Sequence, residues 1–118
     1  MSYDIKLIHP VNGDILELDS PHHMKGGTYQ VGGTAKAEIN ITYNYSKFFS
    51  ELFGEKGIRF IYGMSGSESI EHLEECIPLL KDDLTDNYWD ATEGNAKAAL
   101  CQLLALAKMR PDGVWDGD

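Results

Sequence analysis

Residues 36–54 read KAEINITYNYSKFFSELFG, and the fold class turns on this stretch. Its first half alternates. Ala37, Ile39, Ile41 and Tyr43 fall on one side, and Lys36, Glu38, Asn40 and Thr42 on the other. That is the period of a half-buried β-strand, with β-branched and aromatic residues to line its faces. At Tyr45 the period changes. Phe48, Phe49, Leu52 and Phe53 recur at helical spacing, with Ser46 placed to cap the helix and Gly54 to stop it. A strand that passes directly into an amphipathic helix points to the α+β class.

Upstream, Tyr3, Ile5 and Leu7 alternate with Asp4 and Lys6. Asn12-Gly13 is a tight-turn dipeptide, and residues 15–18 read as a return strand, so a β-hairpin is expected over residues 3–19. Residues 20–34 are irregular, with His22, His23 and the triplets Gly26-Gly27-Thr28 and Gly32-Gly33-Thr34 bracketing a short strand at Tyr29-Gln30-Val31. Downstream, residues 58–62 are compact and apolar, a strand or a buried turn. Ser65 and Glu68 have capping-box spacing, and Ile70, Leu73, Ile77 and Leu80 form one helical stripe that Pro78 bends or ends. The closing helix is the strongest. Thr92 caps it, and Glu93 complements its dipole. Ala96, Ala99, Leu100, Leu103, Leu104 and Ala107 make its apolar face, Lys108 and Arg110 suit its end, and Pro111 stops it. Trp115 lies in a short tail expected to fold back on the core. The expected fold is one α+β domain over residues 1–118. In it a small antiparallel sheet, the N-terminal β-hairpin plus one or two further strands, packs against two or three helices.

The 118 residues are 42 % hydrophobic and 25 % charged, a composition that builds a core. No apolar run approaches the roughly 18 residues of a membrane span, and Met1-Ser2-Tyr3-Asp4 does not open a signal peptide. A cytoplasmic protein without membrane contact is expected. Cys76 and Cys101 fall inside helical patterns and read as free, buried thiols.

The net charge is −9, and most of it lies in residues 65–93. Glu68, Glu71, Glu74, Glu75, Asp82, Asp83, Asp86, Asp90 and Glu93 are opposed there by Lys81 alone. Such a stretch repels nucleic-acid phosphates, so direct nucleic-acid binding is not expected, and it attracts basic partners.

Candidate binding residues are His22, His23, Tyr43, Tyr45, Trp89, Asp90, Glu93 and Asn95. The histidines offer imidazoles that titrate near neutral pH. However, neighbouring residues on a strand point to opposite faces, and a metal needs three or four ligands, so no metal or other cofactor is expected. The glycine triplets lack the lysine ending of a phosphate loop and serve as bends. Tyr43-Asn44-Tyr45 and Tyr88-Trp89 are aromatic clusters of the kind enriched at interfaces. Residues 88–95 gather carboxylates, a hydroxyl and an amide at a helix start. Capping accounts for each of them without chemistry, and no residue is assigned as catalytic.

The segments Gly26-Gly27-Thr28-Tyr29, Asn40-Ile41-Thr42-Tyr43-Asn44-Tyr45, residues 88–96 (YWDATEGNA) and residues 110–118 (RPDGVWDGD) resemble a family of small hypothetical proteins encoded in phages, prophages and their bacterial hosts. The likeness spans nearly the whole chain. It implies an intracellular setting tied to a mobile element and brings no activity or catalytic residue with it.

Three functions follow as expectations. The first is a non-enzymatic interaction module, a phage-related accessory protein whose partner is another protein, a basic one or a second copy of the chain. The second is an acidic DNA mimic that inhibits a nucleic-acid enzyme. The third is a small-ligand or metal-dependent enzyme built on His22, His23 and Glu93. The first is preferred.

Overall fold

The structure is a computed structural model and describes residues 1–22 and 33–118. Strand β1 (Ser2–Ile8) lies at the centre of a three-stranded antiparallel sheet. On one side it pairs with β4 (Glu38–Thr42), Ser2 opposite Thr42 and Lys6 opposite Glu38. On the other it pairs with β5 (Val114–Gly117), Leu7 opposite Trp115. Strands β2 (Glu17–His22) and β3 (Thr34–Lys36) form a separate antiparallel ribbon. The period-two pattern is realised: Tyr3, Ile5 and Leu7 of β1, with Ala37, Ile39 and Ile41, are all buried.

The expected N-terminal reversal occurs at Asn12-Gly13, but the hairpin is a short one. Gly13 adopts φ 77°, His9 N–H donates to the Asp14 carbonyl at 2.8 Å, and Ile8 bridges Ile15. Among the described residues only glycines have positive φ, so Asn12 acts through its side chain, whose Oδ1 accepts from Asp14 N–H at 2.9 Å. Beyond Leu16 the return segment leaves β1 and pairs with β3 instead. Both hydrogen-bonding edges of β1 are occupied by β4 and β5, so no edge remains for a longer hairpin.

The period change after β4 takes the form of a 3-10 turn, Tyr43–Tyr45, capped by Thr42 Oγ1, followed by helix α1 (Ser46–Phe53). Ser46 is therefore the first helical residue and not the cap. Its hydroxyl donates to the Tyr43 carbonyl at 2.7 Å. Gly54 ends α1 at φ 86°, a left-handed stop that an L side chain resists. Residues Gly57–Ile61 resolve as a buried 3-10 turn, not a strand. Helix α2 (Gly66–Cys76) carries the full capping box: Ser65 Oγ accepts from Glu68 N–H at 3.0 Å, and Glu68 Oε1 from Ser65 N–H at 3.2 Å. Pro78 sits in the 3-10 turn Ile77–Leu79 that ends it.

Helix α3 (Glu93–Met109) packs against α2 and against β4, and buries Ala96, Ala99, Leu100, Leu103, Leu106 and Ala107. The tail does more than fold back: it is the edge strand β5, and Trp115 is one of the most deeply buried side chains. Of the two thiols, Cys76 is partly buried, whereas Cys101 is exposed, because α3 turns it away from the apolar face. Among the described residues no helix is long and apolar enough to cross a membrane.

Candidate functional site

Between the turn after α2 and the start of α3, residues 80–92 form neither helix nor strand. An irregular connection of this length in a compact fold is uncommon and is usually functional. Its composition explains why it takes no regular form: Asp82, Asp83, Thr85, Asp86, Asn87 and Asp90 all favour local side-chain bonds over ladders. Its shape is nevertheless set by many hydrogen bonds.

Asn95, in the first turn of α3, is the organiser. It is 4 % exposed. Its Oδ1 accepts from Thr85 N–H at 3.0 Å, and its two Nδ2 hydrogens are shared among Thr85 Oγ1, the Asn87 carbonyl and the Asp90 carbonyl at 3.0–3.1 Å. One amide thereby fixes three points of the loop, and it is fully used within the chain. Asp90 adds Oδ2 to Thr85 Oγ1 at 2.9 Å and Oδ1 to Asn87 Nδ2 at 3.0 Å. Asp83 Oδ1 accepts from Gly94 N–H at 2.7 Å, and Thr92 Oγ1 from Asn95 N–H at 3.1 Å. The loop lies so close to the helix start that a Cβ on Gly94 would come within 2.3 Å of Leu84 N. Lys97 Nζ reaches Asp82 Oδ1 at 2.7 Å.

The opposite side of the loop is tied to the β4–α1 turn. Tyr88 Oη accepts from Thr42 N–H at 2.7 Å, Asn44 Nδ2 donates to the Trp89 carbonyl at 2.8 Å, and Tyr45 Oη donates to the Tyr88 carbonyl. The rings of Tyr45 and Tyr88 meet edge to face at 5.6 Å, and Tyr88 meets Trp89 at 5.1 Å. Burial raises the phenol pKa of both Tyr45 and Tyr88, so both act as neutral hydroxyls.

What this frame holds outward is apolar and acidic. Leu79 is 69 % exposed, Leu84 65 % and Trp89 48 %, interleaved with Asp82, Asp83, Asp86 and Asp90. A half-open pocket of about 170 Å³ lies between the loop and α3. A shallow trough along α2 is lined by Ser67, Ile70, Glu71, Glu74 and Glu75.

The sequence-predicted residues separate into three groups. Tyr45, Trp89, Asp90, Glu93 and Asn95 come together around this loop, Glu93 through Lys81 N–H at 3.4 Å. Tyr43, two residues before Tyr45, points elsewhere: its ring meets Tyr3 at 4.6 Å and its hydroxyl accepts from Arg59 at 3.1 Å. His22 sits on the β2–β3 ribbon with Nε2 2.9 Å from the Lys36 carbonyl. His23, the first glycine triplet, the short strand expected at Tyr29-Gln30-Val31 and Gly32 of the second triplet lie outside the described residues. Among the described residues no three His, Cys, Asp or Glu side chains come together to hold a metal. The Cys76 thiol is pushed above its ordinary pKa by burial and by Glu75, the opposite of an activated nucleophile.

Of the nine carboxylates in residues 65–93, Glu68 caps α2, Asp82 pairs with Lys97, and Asp83, Asp90 and Glu93 bond within the loop frame. Sequence reading missed Leu79, Leu84 and Gln102. A large apolar residue inside a run of aspartates, such as Leu84, was the available signal. Comparison of the chain with models of known families, with curated proteins and with solved structures finds no match in any of the three.

The raised pKa values give a pH prediction. Tyr3, Tyr45, Tyr62 and Tyr88 all lie above the ordinary value of 10.0, chiefly because burial penalises the phenolate. The folded state keeps protons that the unfolded chain releases near that value. This contribution to stability is whole below about pH 10 and is lost as pH rises toward the folded values. In a tyrosinate absorbance titration these residues ionise only together with loss of far-UV circular dichroism. Ionisation of Tyr45 near pH 10 with the fold intact, assigned with Tyr45→Phe, would contradict the burial described.

Proposed function

We propose that the protein is a non-enzymatic docking module, and that the fixed loop 80–92 presents Leu84 and Trp89, set among aspartates, to a basic protein partner inside the cell. The single observation that carries this is the display of large apolar side chains on a loop hydrogen-bonded to α3 and to the β4–α1 turn. A chain gains nothing in its own stability by fixing Leu84 at 65 % exposure, and interfaces centre on such anchors inside a polar rim. The acidic surround supplies charge complementarity, which speeds encounter and selects a cationic partner. The resemblance to phage and prophage proteins supports a partner of host or phage origin.

A random peptide display selected on the immobilised protein tests this. Enriched peptides are expected to be rich in Lys and Arg with at least one aromatic or aliphatic anchor, and to bind less tightly as salt rises. Leu84→Ser and Trp89→Ser are each expected to weaken them by at least about tenfold, as for central interface anchors. Val11→Ser, at a site 88 % exposed on the distant N-terminal turn, is expected to leave them unchanged. Enrichment of acidic peptides, or binding indifferent to Leu84 and Trp89, would overturn the proposal.

A further inference from the structure

We infer, building on the docking reading, that the pocket beneath Leu84 receives a single arginine side chain of the partner. At about 170 Å³ the cavity falls below the roughly 300–1,000 Å³ of sites that hold cofactor-sized ligands, and it suits one long side chain. Its lining includes Tyr88, Leu84 and Ala98, which suit an alkyl stem and a flat π-surface, while Tyr45, 1 % exposed, lies behind them. Its polar members still able to bond are Asp86 and Gln102, whose side chains make no hydrogen bond to another described residue, whereas the Tyr45 hydroxyl and the Asn95 amide are already used. Asp86 is exposed and accepts only, so the pocket asks for a donor that carries positive charge. Lys97 does not fill that role, because it is held by Asp82. Arginine fits better than lysine: its guanidinium can pack on the Tyr88 ring while its fork engages a carboxylate in two bonds, and it is less strongly hydrated than an ammonium. Arginine is also among the residues that dominate interface energetics.

The test titrates Nα-acetyl-arginine methylamide into the intact protein and follows the methyl signals of Leu84 and Ala98 and the side-chain amide of Gln102 by NMR. Saturable shifts at those positions are expected, with affinity at least about tenfold weaker for Asp86→Asn and for Ala98→Met, which fills the pocket. The citrulline analogue, neutral but of the same shape, is expected to leave the signals in place, and the lysine analogue to bind more weakly than arginine. Thermal melts of both variants establish that each is folded. Equal binding of citrulline, equal binding of lysine, or no localised shift would overturn the inference. If displayed peptides still required Leu84 and Trp89 while Ala98→Met bound them normally, the docking surface would stand and the arginine pocket alone would fall.

Discussion

Asn95→Ala is expected to lower stability by roughly 3 kcal/mol and to release the loop 80–92 from its fixed shape. The amide is 4 % exposed and engages four groups, accepting from Thr85 N–H and sharing its two N–H hydrogens among Thr85 Oγ1 and the carbonyls of Asn87 and Asp90. Truncation strips partners from all of them at once. Each orphaned buried group costs about 1–3 kcal/mol, and the entry of water beside an exposed loop offsets part of the sum. Thr92→Ala removes only a cap and is expected to cost about 1 kcal/mol, which sets the scale for an ordinary helix-start defect. Asn95→Asp is the sharper probe. It keeps the acceptor for Thr85 N–H but turns a carboxylate on two carbonyl oxygens. It is therefore destabilising at neutral pH and partly recovers on acidification, when the protonated acid can donate again. Urea denaturation of the three variants across pH reads these values directly. An Asn95→Ala cost no larger than that of Thr92→Ala would show that the loop does not depend on this amide.

Trp115→Ala is expected to cost about 4 kcal/mol, within the range for emptying a large aromatic site. Trp115 is 1 % exposed on β5, and its Nε1–H donates at 2.7 Å to Ser69 Oγ, itself fully buried on α2. Its backbone bonds to Met64 and Gly63, so the side chain joins sheet, helix and the turn before α2. Ser69→Ala leaves the indole N–H buried without a partner and is expected to cost roughly 1–3 kcal/mol. Trp115→Phe removes that donor. Since Trp115→Phe combined with Ser69→Ala deletes both ends of one bond, the double variant is expected to lose clearly less than the sum of the singles. Strict additivity in chemical denaturation would mean that the bond is not made.

Much of the fold was legible because local chemistry and tertiary packing agree at those places. The Ser65–Glu68 capping box, the Thr92 cap, the alternation over residues 37–41 and the stops at Gly54 and Pro78 are local features, and each appears where the sequence places it. The errors arose where a distant strand decided the outcome. The return limb after Gly13 has strand character, yet β4 and β5 hold the edges of β1, and nothing local announces that Val114–Gly117 crosses the chain to pair with residues near its beginning. Ser46 resembled a cap until Thr42 provided one for the preceding turn.

The site was legible only in part, for the same reason. Residues 88–95 stood out as polar and aromatic, and five of the eight predicted residues do gather there. Tyr43 and Tyr45 look equivalent in sequence, but the 3-10 turn sends one toward Arg59 and the other toward Tyr88. Asn95 drew notice as a polar residue near a helix start, whereas its structural part is internal support, set by burial that no single position displays. The acidic run keeps most of its charge: among the described residues Asp82 alone of that run pairs with a cation, and the capping and loop bonds of Glu68, Asp83, Asp90 and Glu93 orient their carboxylates without neutralising them.

Amide hydrogen exchange at Thr85 and Gly94 gives the most direct reading of whether residues 80–92 are held as a fixed surface. Their N–H groups are bonded to Asn95 Oδ1 and Asp83 Oδ1, two of the joints between loop and helix. Both amides are expected to exchange as slowly as that of Leu103 in the centre of α3, opening only when the whole fold opens. Exchange at both positions at the rate of an unstructured peptide, with Leu103 still protected, would mean that the loop has no fixed shape to present and would remove the basis for a docking role.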